Sequence, residues 1–106
     1  MYKMYNISVK FKIEFSVEKN LILKETRGIN FNDVLVAIEK EGILNNIEHP
    51  NKRKYPKQKI LVLKINNYIY AVPYIIDKTK KTIFLKTVYP SRILTKIYLK
   101  GAPNEK

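Results

Sequence analysis

The stretch ILVLKINNYIYAVPYII, residues 60–76, constrains the fold more than any other part of the sequence. Two runs rich in aliphatic, β-branched and aromatic residues flank Asn66-Asn67, and asparagine tolerates the positive φ that a two-residue turn requires. We therefore predict a β-hairpin with its turn at these two asparagines. Such a turn places Leu63 beside Tyr70.

The returning strand of this hairpin, residues 68–76, is apolar on both faces, which is typical of a central strand covered on both sides. Pro73 interrupts it, and because proline has no N–H to donate, we predict a bulge or a locally unpaired position there. Tyr68, Tyr70 and Tyr74 share one face by parity. The first two are expected to fill the core, whereas Tyr74, beyond Pro73, is the better candidate for a binding site.

Hydrophobic periodicity and capping residues place the other elements around this hairpin. They are a strand at 9–15, helices at 17–27 and 30–41, strands at 43–48 and 82–89, and a helix from 92 to about 99. The resulting order, β-α-α-β-β-β-β-α, predicts one α+β domain over residues 1–106. Two N-terminal helices would pack on one face of an antiparallel sheet of three to five strands, with a short C-terminal helix. Residues 101–106 are expected to form a frayed tail.

The positive charge is confined to the second half of the chain. Residues 1–48 contain seven basic and seven acidic residues, whereas residues 49–106 contain fourteen basic residues and two acidic ones. A lysine-rich composition would explain many lysines but not the disappearance of acidic residues. The distribution therefore indicates a polyanionic ligand such as nucleic acid, or an acidic protein partner.

The composition also excludes several classes of protein. There is no cysteine, and therefore no disulfide or thiolate metal site, and no apolar run approaches the ~20 residues of a membrane helix. The N-terminus lacks the apolar core of a signal peptide, and so we expect a cytoplasmic protein that does not enter a membrane. A single histidine and the absence of a glycine-rich phosphate loop predict neither a metal nor a cofactor.

The loop EHPNKRKYPKQK, residues 48–59, carries five cations and one tyrosine. Its prolines stiffen the backbone, so the charges are held in place. Basic residues interleaved with an aromatic residue suit a phosphate backbone and one stacked base, although a solvated surface loop has the same composition. Arg53, Lys57 and Lys59 are the candidates for following the RNA backbone.

His49, at the start of this loop, is the only histidine. Histidine is the one side chain that exchanges a proton near neutral pH without tuning. In a reaction at a phosphate, His49 or Tyr55 would exchange protons, and Lys54 would lower the cost of developing charge. A single histidine is more often an ordinary surface residue, and this alternative stays open.

The stretch FLKTVYPSR, residues 84–92, places a cation in an apolar strand. Lys86 shares a face with Phe84 and Val88 by parity, which costs free energy unless its ammonium group reaches water or an anion. Arg92 opens the last helix, whose N-terminal end favours a phosphate. We predict that Lys86 and Arg92 flank one phosphate; the alternative is that Lys86 reaches out to water.

In the last helix, Arg92, Lys96 and Lys100 recur every fourth residue and form one basic stripe. Lys96 is therefore a further candidate for binding RNA. The opposite, packed face is expected to consist of Ile93, Leu94, Ile97 and Tyr98.

Three short motifs together resemble the BrnT-like toxins of bacterial toxin–antitoxin systems. They are Phe15 with Lys19 and Asn20, the segment RGINFNDV at 27–34, and the ending IFLKTVYPSR at 83–92 followed by Thr95, Lys96 and Tyr98. The similarity covers about residues 11–99. The loop at 48–59 departs from the pattern because it is more basic than in typical members.

The resemblance implies a RelE-like fold and a small ribonuclease that cleaves without a metal ion. In that chemistry a ribose 2′-hydroxyl attacks the adjacent phosphorus, and cations stabilise the phosphorane. The C-terminal arginine of the family maps onto Arg92. The implied partners are RNA, including ribosome-bound mRNA, and a cognate antitoxin, in a dimer or a toxin–antitoxin hetero-oligomer.

Two alternatives stay open. One is a non-catalytic RNA- or protein-binding module that uses the same basic surface. The other is a toxin fold that has lost its activity.

Overall fold

The computed structural model of the protein describes residues 11–99. Within this range the elements are β1 (Lys12–Phe15), α1 (Val17–Arg27), α2 (Phe31–Glu39), β2 (Ile43–Glu48), β3 (Gln58–Ile65), β4 (Tyr68–Asp77), β5 (Thr82–Leu85), β6 (Tyr89–Pro90) and α3 (Arg92–Tyr98). Residues 9 and 10 of the first predicted strand, Lys100 of the predicted basic stripe and the tail at 101–106 lie outside the described residues. The α+β class predicted from the sequence is confirmed.

The hairpin at the centre of the sequence forms with the predicted register. Asn66 and Asn67 have φ angles of 52° and 64°, the left-handed conformation that a two-residue turn between antiparallel strands requires. Leu63 pairs with Tyr70, and the register continues along the full length of β3 and β4. This hairpin forms the centre of the sheet, because each of its strands has another strand on its outer side.

The sheet is mixed and has six strands, which corrects the expectation of an antiparallel sheet of three to five strands. Its order is β1-β5-β4-β3-β2, and β6 lies beside β4. The strands pair antiparallel except for β1 and β5, which are parallel. Parallel neighbours need a long connection, and here all of the chain from α1 to β4 lies between them. Such a long-range pairing leaves no local pattern in the sequence.

Pro73 accounts for the additional strand. β4 pairs with β5 only as far as Tyr74, and it pairs with β6 only at Tyr70 and Ala71. Between these two pairings, residues 72–73 of β4 lie opposite residues 86–88, so the opposing chain has one residue more. At the gap the carbonyl of Pro73 accepts a hydrogen bond of 2.8 Å from the N–H of Lys86. Because proline cannot donate in return, the strand predicted at 82–89 divides there. The predicted irregularity at Pro73 is confirmed.

The two faces of the sheet are covered by different helices. On one face, here called the α1–α2 face, Phe31, Val34 and Ile38 of α2 and Leu23 of α1 pack on the sheet. The sheet residues in that buried cluster are Leu61, Leu63, Val72, Tyr74, Ile83 and Leu85. On the other face, here called the α3 face, Leu94, Tyr98 and Leu99 pack on Ile60, Val62, Ile69 and Ala71.

The helix boundaries follow the capping residues. The side chain of Ser16 accepts a hydrogen bond from the N–H of Lys19, and Asn30 and Asp33 form a reciprocal capping box. Gly28 ends α1 with a φ of 71°. Helix α2 ends at Glu39, two residues earlier than predicted.

Helix α3 is rotated relative to the prediction. Leu94 and Tyr98 face the sheet, as expected, but Ile93 and Ile97 are 71% and 56% exposed. Two side-chain hydrogen bonds account for the rotation: Thr95 Oγ1 accepts from the N–H of Ile69 at 3.0 Å, and Tyr98 Oη accepts from Asn45 Nδ2 at 2.8 Å. These bonds hold Thr95 and Tyr98 toward the sheet, which turns the two isoleucines outward.

Gly42, in the connection between α2 and β2, lies close to two backbone carbonyl groups, so a substitution there tests how tightly this connection is packed. A Cβ atom at Gly42 would lie 3.0 Å from the carbonyl oxygen of Ala37 and 3.1 Å from that of Lys64. Because both neighbours are backbone atoms, we expect Gly42→Ala to lower the free energy of unfolding by about 1–3 kcal/mol. Urea denaturation of the two proteins measures this difference. An unchanged midpoint would show that the connection can relax without cost.

Candidate nucleic-acid interface

Asn51 organises the basic loop between β2 and β3. Its backbone N–H donates to His49 Nδ1 at 3.0 Å, and its side-chain Oδ1 accepts from the N–H of Lys54 at 3.1 Å. Its carbonyl also accepts from the N–H of Tyr55 at 2.9 Å. The loop is therefore folded on itself, as expected for a short turn whose asparagine bonds to nearby backbone groups.

This folding brings three of the predicted site residues together. The rings of His49 and Tyr55 lie 4.5 Å apart at an interplanar angle of 37°, and Lys54 Nζ lies 5.4 Å from the centroid of the Tyr55 ring. Because Nδ1 of His49 accepts the hydrogen bond from Asn51, the neutral imidazole carries its proton on Nε2. In this conformation His49 presents a hydrogen-bond donor to a ligand.

The cluster lies at the end of a row of side chains that crosses the α3 face. His49 faces Gln58, whose carbonyl accepts its N–H at 3.3 Å, and the sheet register continues the row through Ile75 and Phe84. Helix α3 packs on the neighbouring rows of the same face and leaves this one half-buried. We call the row His49, Gln58, Ile75 and Phe84 the open row.

Lys86 joins the open row from the broken strand. Its side chain is exposed, and its Nζ lies 5.6 Å from the centroid of the Phe84 ring. The break opposite Pro73 therefore explains the cation in an apolar stretch, because β5 ends at Leu85 before the lysine. Phe84 and His49 are three strand spacings apart, about 14 Å, so Lys86 and His49 can contact one extended polyanion but not one phosphate.

Arg92 lies near the start of β4, and the structure shows no contact between it and Lys86, so their clamp on one phosphate stays a prediction. Arg92 follows Ser91, whose N–H donates to the carbonyl of Ile69 at 2.9 Å near the start of β4. From there to Ile75 in the open row is about 20 Å along β4, and to the position of Lys86 about 13 Å. Lys86 also leans toward Phe84, away from Arg92.

Tyr74 is not available to RNA, which corrects its assignment as a binding residue. Only 1% of it is exposed, and its hydroxyl donates to Asn46 Oδ1 beneath α1 and α2. Burial raises the pKa of Tyr74 because it penalises the phenolate. Tyr68 and Tyr70 are half-buried with their rings edge to face, in agreement with a packing role.

The other predicted cations occupy three different places. Arg53 is exposed in the basic loop, and Lys57 and Lys59 line a cavity on the α1–α2 side of that loop. Lys96 is exposed on α3. Lys96 and Arg92 therefore form a second basic surface, separate from the loop.

A second loop adds charge that the sequence reasoning missed. The turn between β4 and β5 lies at the same end of the sheet as the basic loop and carries Lys78, Lys80 and Lys81, all exposed. Lys12 starts β1 beside them, and its N–H donates to the carbonyl of Lys81 at 2.9 Å. The tetrapeptide KTKK was the available signal. However, only the sheet register shows that this tetrapeptide lies next to residues 49–57.

We call this end of the sheet the basic end. It comprises Lys12, Lys52, Arg53, Lys54, Lys57, Lys78, Lys80 and Lys81. The two acidic residues of the adjoining loops are engaged, since Glu48 forms a 2.6 Å salt bridge with Lys52 and Asp77 accepts from the N–H of Lys80 at 3.0 Å. Glu14, two residues after Lys12, is exposed and lies beside Phe84 in the sheet. Such a one-sided concentration of charge attracts polyanions.

Other kinds of site find less support in the part of the chain that the structure describes. Across residues 11–99 no three His, Asp or Glu side chains gather as metal ligands would. None of the helices in that range combines the length and the apolar character needed to cross a bilayer. Comparisons of the chain with protein-family models, curated proteins and solved structures found no match.

The raised pKa of Tyr74 predicts a specific dependence of stability on pH. Above pH 10 the unfolded chain ionises this tyrosine while the folded protein keeps it neutral, so the free energy of unfolding falls as the pH rises. We expect this fall between pH 9 and pH 11 to be steeper in the wild type than in Tyr74→Phe. Urea titrations of both proteins measure it, and equal slopes would contradict the burial of the hydroxyl.

Proposed function

We propose that the protein is an RNA endonuclease, the toxin of a toxin–antitoxin pair, which binds RNA at the basic end and along the open row. The observation that carries this proposal is the gathering of His49, Lys54 and Tyr55 inside a concentration of positive charge. A phosphate backbone supplies the complementary charge, and the exposed parts of the aromatic rings offer stacking surfaces for bases. The bacterial cytoplasm is the expected compartment.

The α+β architecture is compatible in kind with a RelE-like or BrnT-like assignment. The order β-α-α followed by antiparallel strands puts both N-terminal helices on one face and leaves part of the other face open for a ligand. β6 and the parallel β1–β5 pair are the features in which the fold differs from the architecture expected from the sequence. The cognate antitoxin remains a proposed partner on the same grounds.

In the proposed reaction, a ribose 2′-oxygen loses its proton and attacks the adjacent phosphorus, and the bond from phosphorus to the 5′-oxygen breaks. The departing 5′-oxygen gains a proton, so the products are a 2′,3′-cyclic phosphate and a 5′-hydroxyl. Tyr55 Oη exchanges these protons, His49 Nε2–H donates to a phosphate oxygen, and the Lys54 ammonium stabilises the phosphorane.

The remaining cations position the strand. Lys86 lies over Phe84, which is about 14 Å from His49 across the sheet, and would hold the backbone a few nucleotides from the scissile phosphate. Arg53 and the lysines of the β4–β5 turn would hold the flanking phosphates. Arg92, onto which the family arginine maps, would contact RNA or the antitoxin at the second basic surface instead of the reacting phosphate.

One observation favours a second candidate function, a non-catalytic RNA-binding module. The Nδ1 atom of His49 is occupied by the N–H of Asn51, and the proton on Nε2 prevents that nitrogen from accepting a proton in this conformation. If the loop does not rearrange when RNA binds, no imidazole base is available and proton exchange falls to Tyr55 alone. A protein in which Tyr55 does not exchange the protons would bind RNA without cleaving it.

A cleavage assay separates the two candidates. Purified protein incubated with total RNA should cleave it equally with and without a chelator, and Tyr55→Phe and His49→Ala should each lower the rate by about 10²-fold or more. Lys24→Gln, an exposed change on α1, is the matched control and should leave the rate unchanged.

Three outcomes would contradict the proposal. Cleavage that requires a metal would overturn the mechanism, and binding without cleavage would establish the module. Loss of cleavage in Arg92→Gln but not in Tyr55→Phe would move the reacting centre to α3.

The salt dependence of RNA binding tests the basic end independently of cleavage. Replacing Lys78, Lys80 and Lys81 by glutamine should reduce the slope of log K against log salt by about 0.7 for each phosphate that these lysines neutralise. Fluorescence anisotropy with a 2′-O-methyl oligonucleotide, which cannot be cleaved through a 2′-hydroxyl, provides the measurement. If the triple variant keeps the wild-type slope, as the control Lys24→Gln is expected to do, RNA binds elsewhere.

A further inference from the structure

A cavity of about 340 Å³ lies beside the basic loop, on the α1–α2 side. Its lining residues are Glu48, Lys52, Pro56, Lys57, Gln58 and Lys59. Glu48 and Lys59 are directly paired across β2 and β3, on the face opposite to that of His49. The cavity is therefore distinct from the cluster of His49, Lys54 and Tyr55 and has no role in the proposed reaction.

Two of the three lysines of this cavity act on a single carboxylate. Lys52 Nζ lies 2.6 Å from Glu48 Oε1, and Lys59 faces Glu48 across the strand pair. The pKa of Glu48 is lowered, first by its hydrogen bond with Lys52 and to a smaller degree by the charge of Lys59. Both ammonium groups thus act on the same small region of space, and a ligand anion there would be attracted by both.

The cavity is left with two uncompensated positive charges. Three lysines line it against one glutamate. Lys57 has no acidic partner among residues 11–99. A phosphate monoester carries a charge of about −1.5 to −2 at pH 7, whereas a backbone phosphodiester carries one negative charge. The charge of the site therefore matches a monoester better than a diester.

We propose that this cavity binds a terminal phosphate monoester, the 5′-phosphate of an RNA strand. Lys52, Lys57 and Lys59 would supply the charge-assisted hydrogen bonds to its oxygens, and Pro56 would hold the loop wall in place. The choice of RNA as the carrier rests on the proposed function. The recognition of a phosphate monoester rests only on the lysines that line the cavity.

This site would discriminate between the substrate and the product of the proposed reaction. Cleavage by 2′-hydroxyl attack leaves a 5′-hydroxyl on the downstream fragment, which offers the cavity no charge. An RNA that retains its original 5′-phosphate would be held more tightly than that fragment. The cavity would therefore favour release of the downstream product.

Glu48 competes with the ligand for Lys52, and this gives the site an unusual signature. Removing the carboxylate in Glu48→Gln raises the net charge of the lining from +2 to +3 and should tighten binding of a phosphate monoester. Since the Glu48 and Lys52 side chains are 62% and 67% exposed, the change should not unfold the protein. Most substitutions weaken a site, so a gain of affinity is a stringent test.

The experiment compares two forms of one 2′-O-methyl oligonucleotide, with a 5′-phosphate and with a 5′-hydroxyl. We expect the wild type to prefer the 5′-phosphate about tenfold and the double variant Lys57→Gln/Lys59→Gln to lose the preference. Glu48→Gln should increase the preference about two- to fivefold. Asp77→Asn, which removes the acid of the neighbouring turn, is the matched control and should affect both oligonucleotides equally.

Two further probes, inorganic phosphate and a nucleoside 5′-monophosphate, identify the source of the ligand. Weaker binding of both than of the 5′-phosphorylated oligonucleotide supports an RNA end. Equal binding of the mononucleotide and the oligonucleotide would assign the cavity to mononucleotides and overturn the proposal. Equal affinity of the wild type for the two oligonucleotides would also overturn it, whether or not the protein cleaves RNA. A 5′-phosphate preference without cleavage would leave the proposal intact and refute the nuclease.

Discussion

The missing N–H of Pro73 is the constraint on which much of the molecule depends. β4 is the central strand, with β3 on one side and both β5 and β6 on the other. On the side of β4 that faces β5 and β6, Pro73 has no N–H to donate to the ladder. The opposing chain has one extra residue there, and β5 ends at Leu85, the residue before Lys86. A hydrophobic strand would otherwise carry a charged residue in its middle. The break converts this conflict into an exposed lysine over an aromatic ring beside a half-buried row of the sheet.

The same break directs the end of the chain to the second face of the sheet. After the gap, β6 pairs with β4 for two residues, and the N–H of Ser91 bonds to Ile69 at the start of α3. Helix α3 then covers one part of the α3 face, while α1 and α2 cover the opposite face. The open row is a part of the α3 face that α3 leaves half-buried. The break opposite Pro73 adds Lys86 to one end of this row.

Local features of the sequence predicted the local features of the fold. The turn at Asn66 and Asn67, the caps at Ser16 and Asn30, and the irregularity at Pro73 each depend on residues close in sequence, and all are confirmed. The parallel pairing of β1 with β5 depends on residues about 70 positions apart, for which period-two patterns carry no partner information. The prediction of which face of α3 packs on the sheet was also wrong in part, because two side-chain hydrogen bonds fix the rotation of the helix.

The candidate site shows the same division. His49, Lys54 and Tyr55 come together because they share one short loop, which sequence reasoning can anticipate. The distance of Arg92 from that loop and the contribution of the β4–β5 turn depend on the sheet register, which sequence reasoning cannot anticipate.

Nuclear magnetic resonance titration of the labelled protein with a 2′-O-methyl oligonucleotide tests most directly whether RNA binds at the basic end. We predict that the largest shifts fall in residues 49–59, 77–82 and 84–86. Shifts concentrated in α3, with those residues unchanged, would contradict this placement of the RNA.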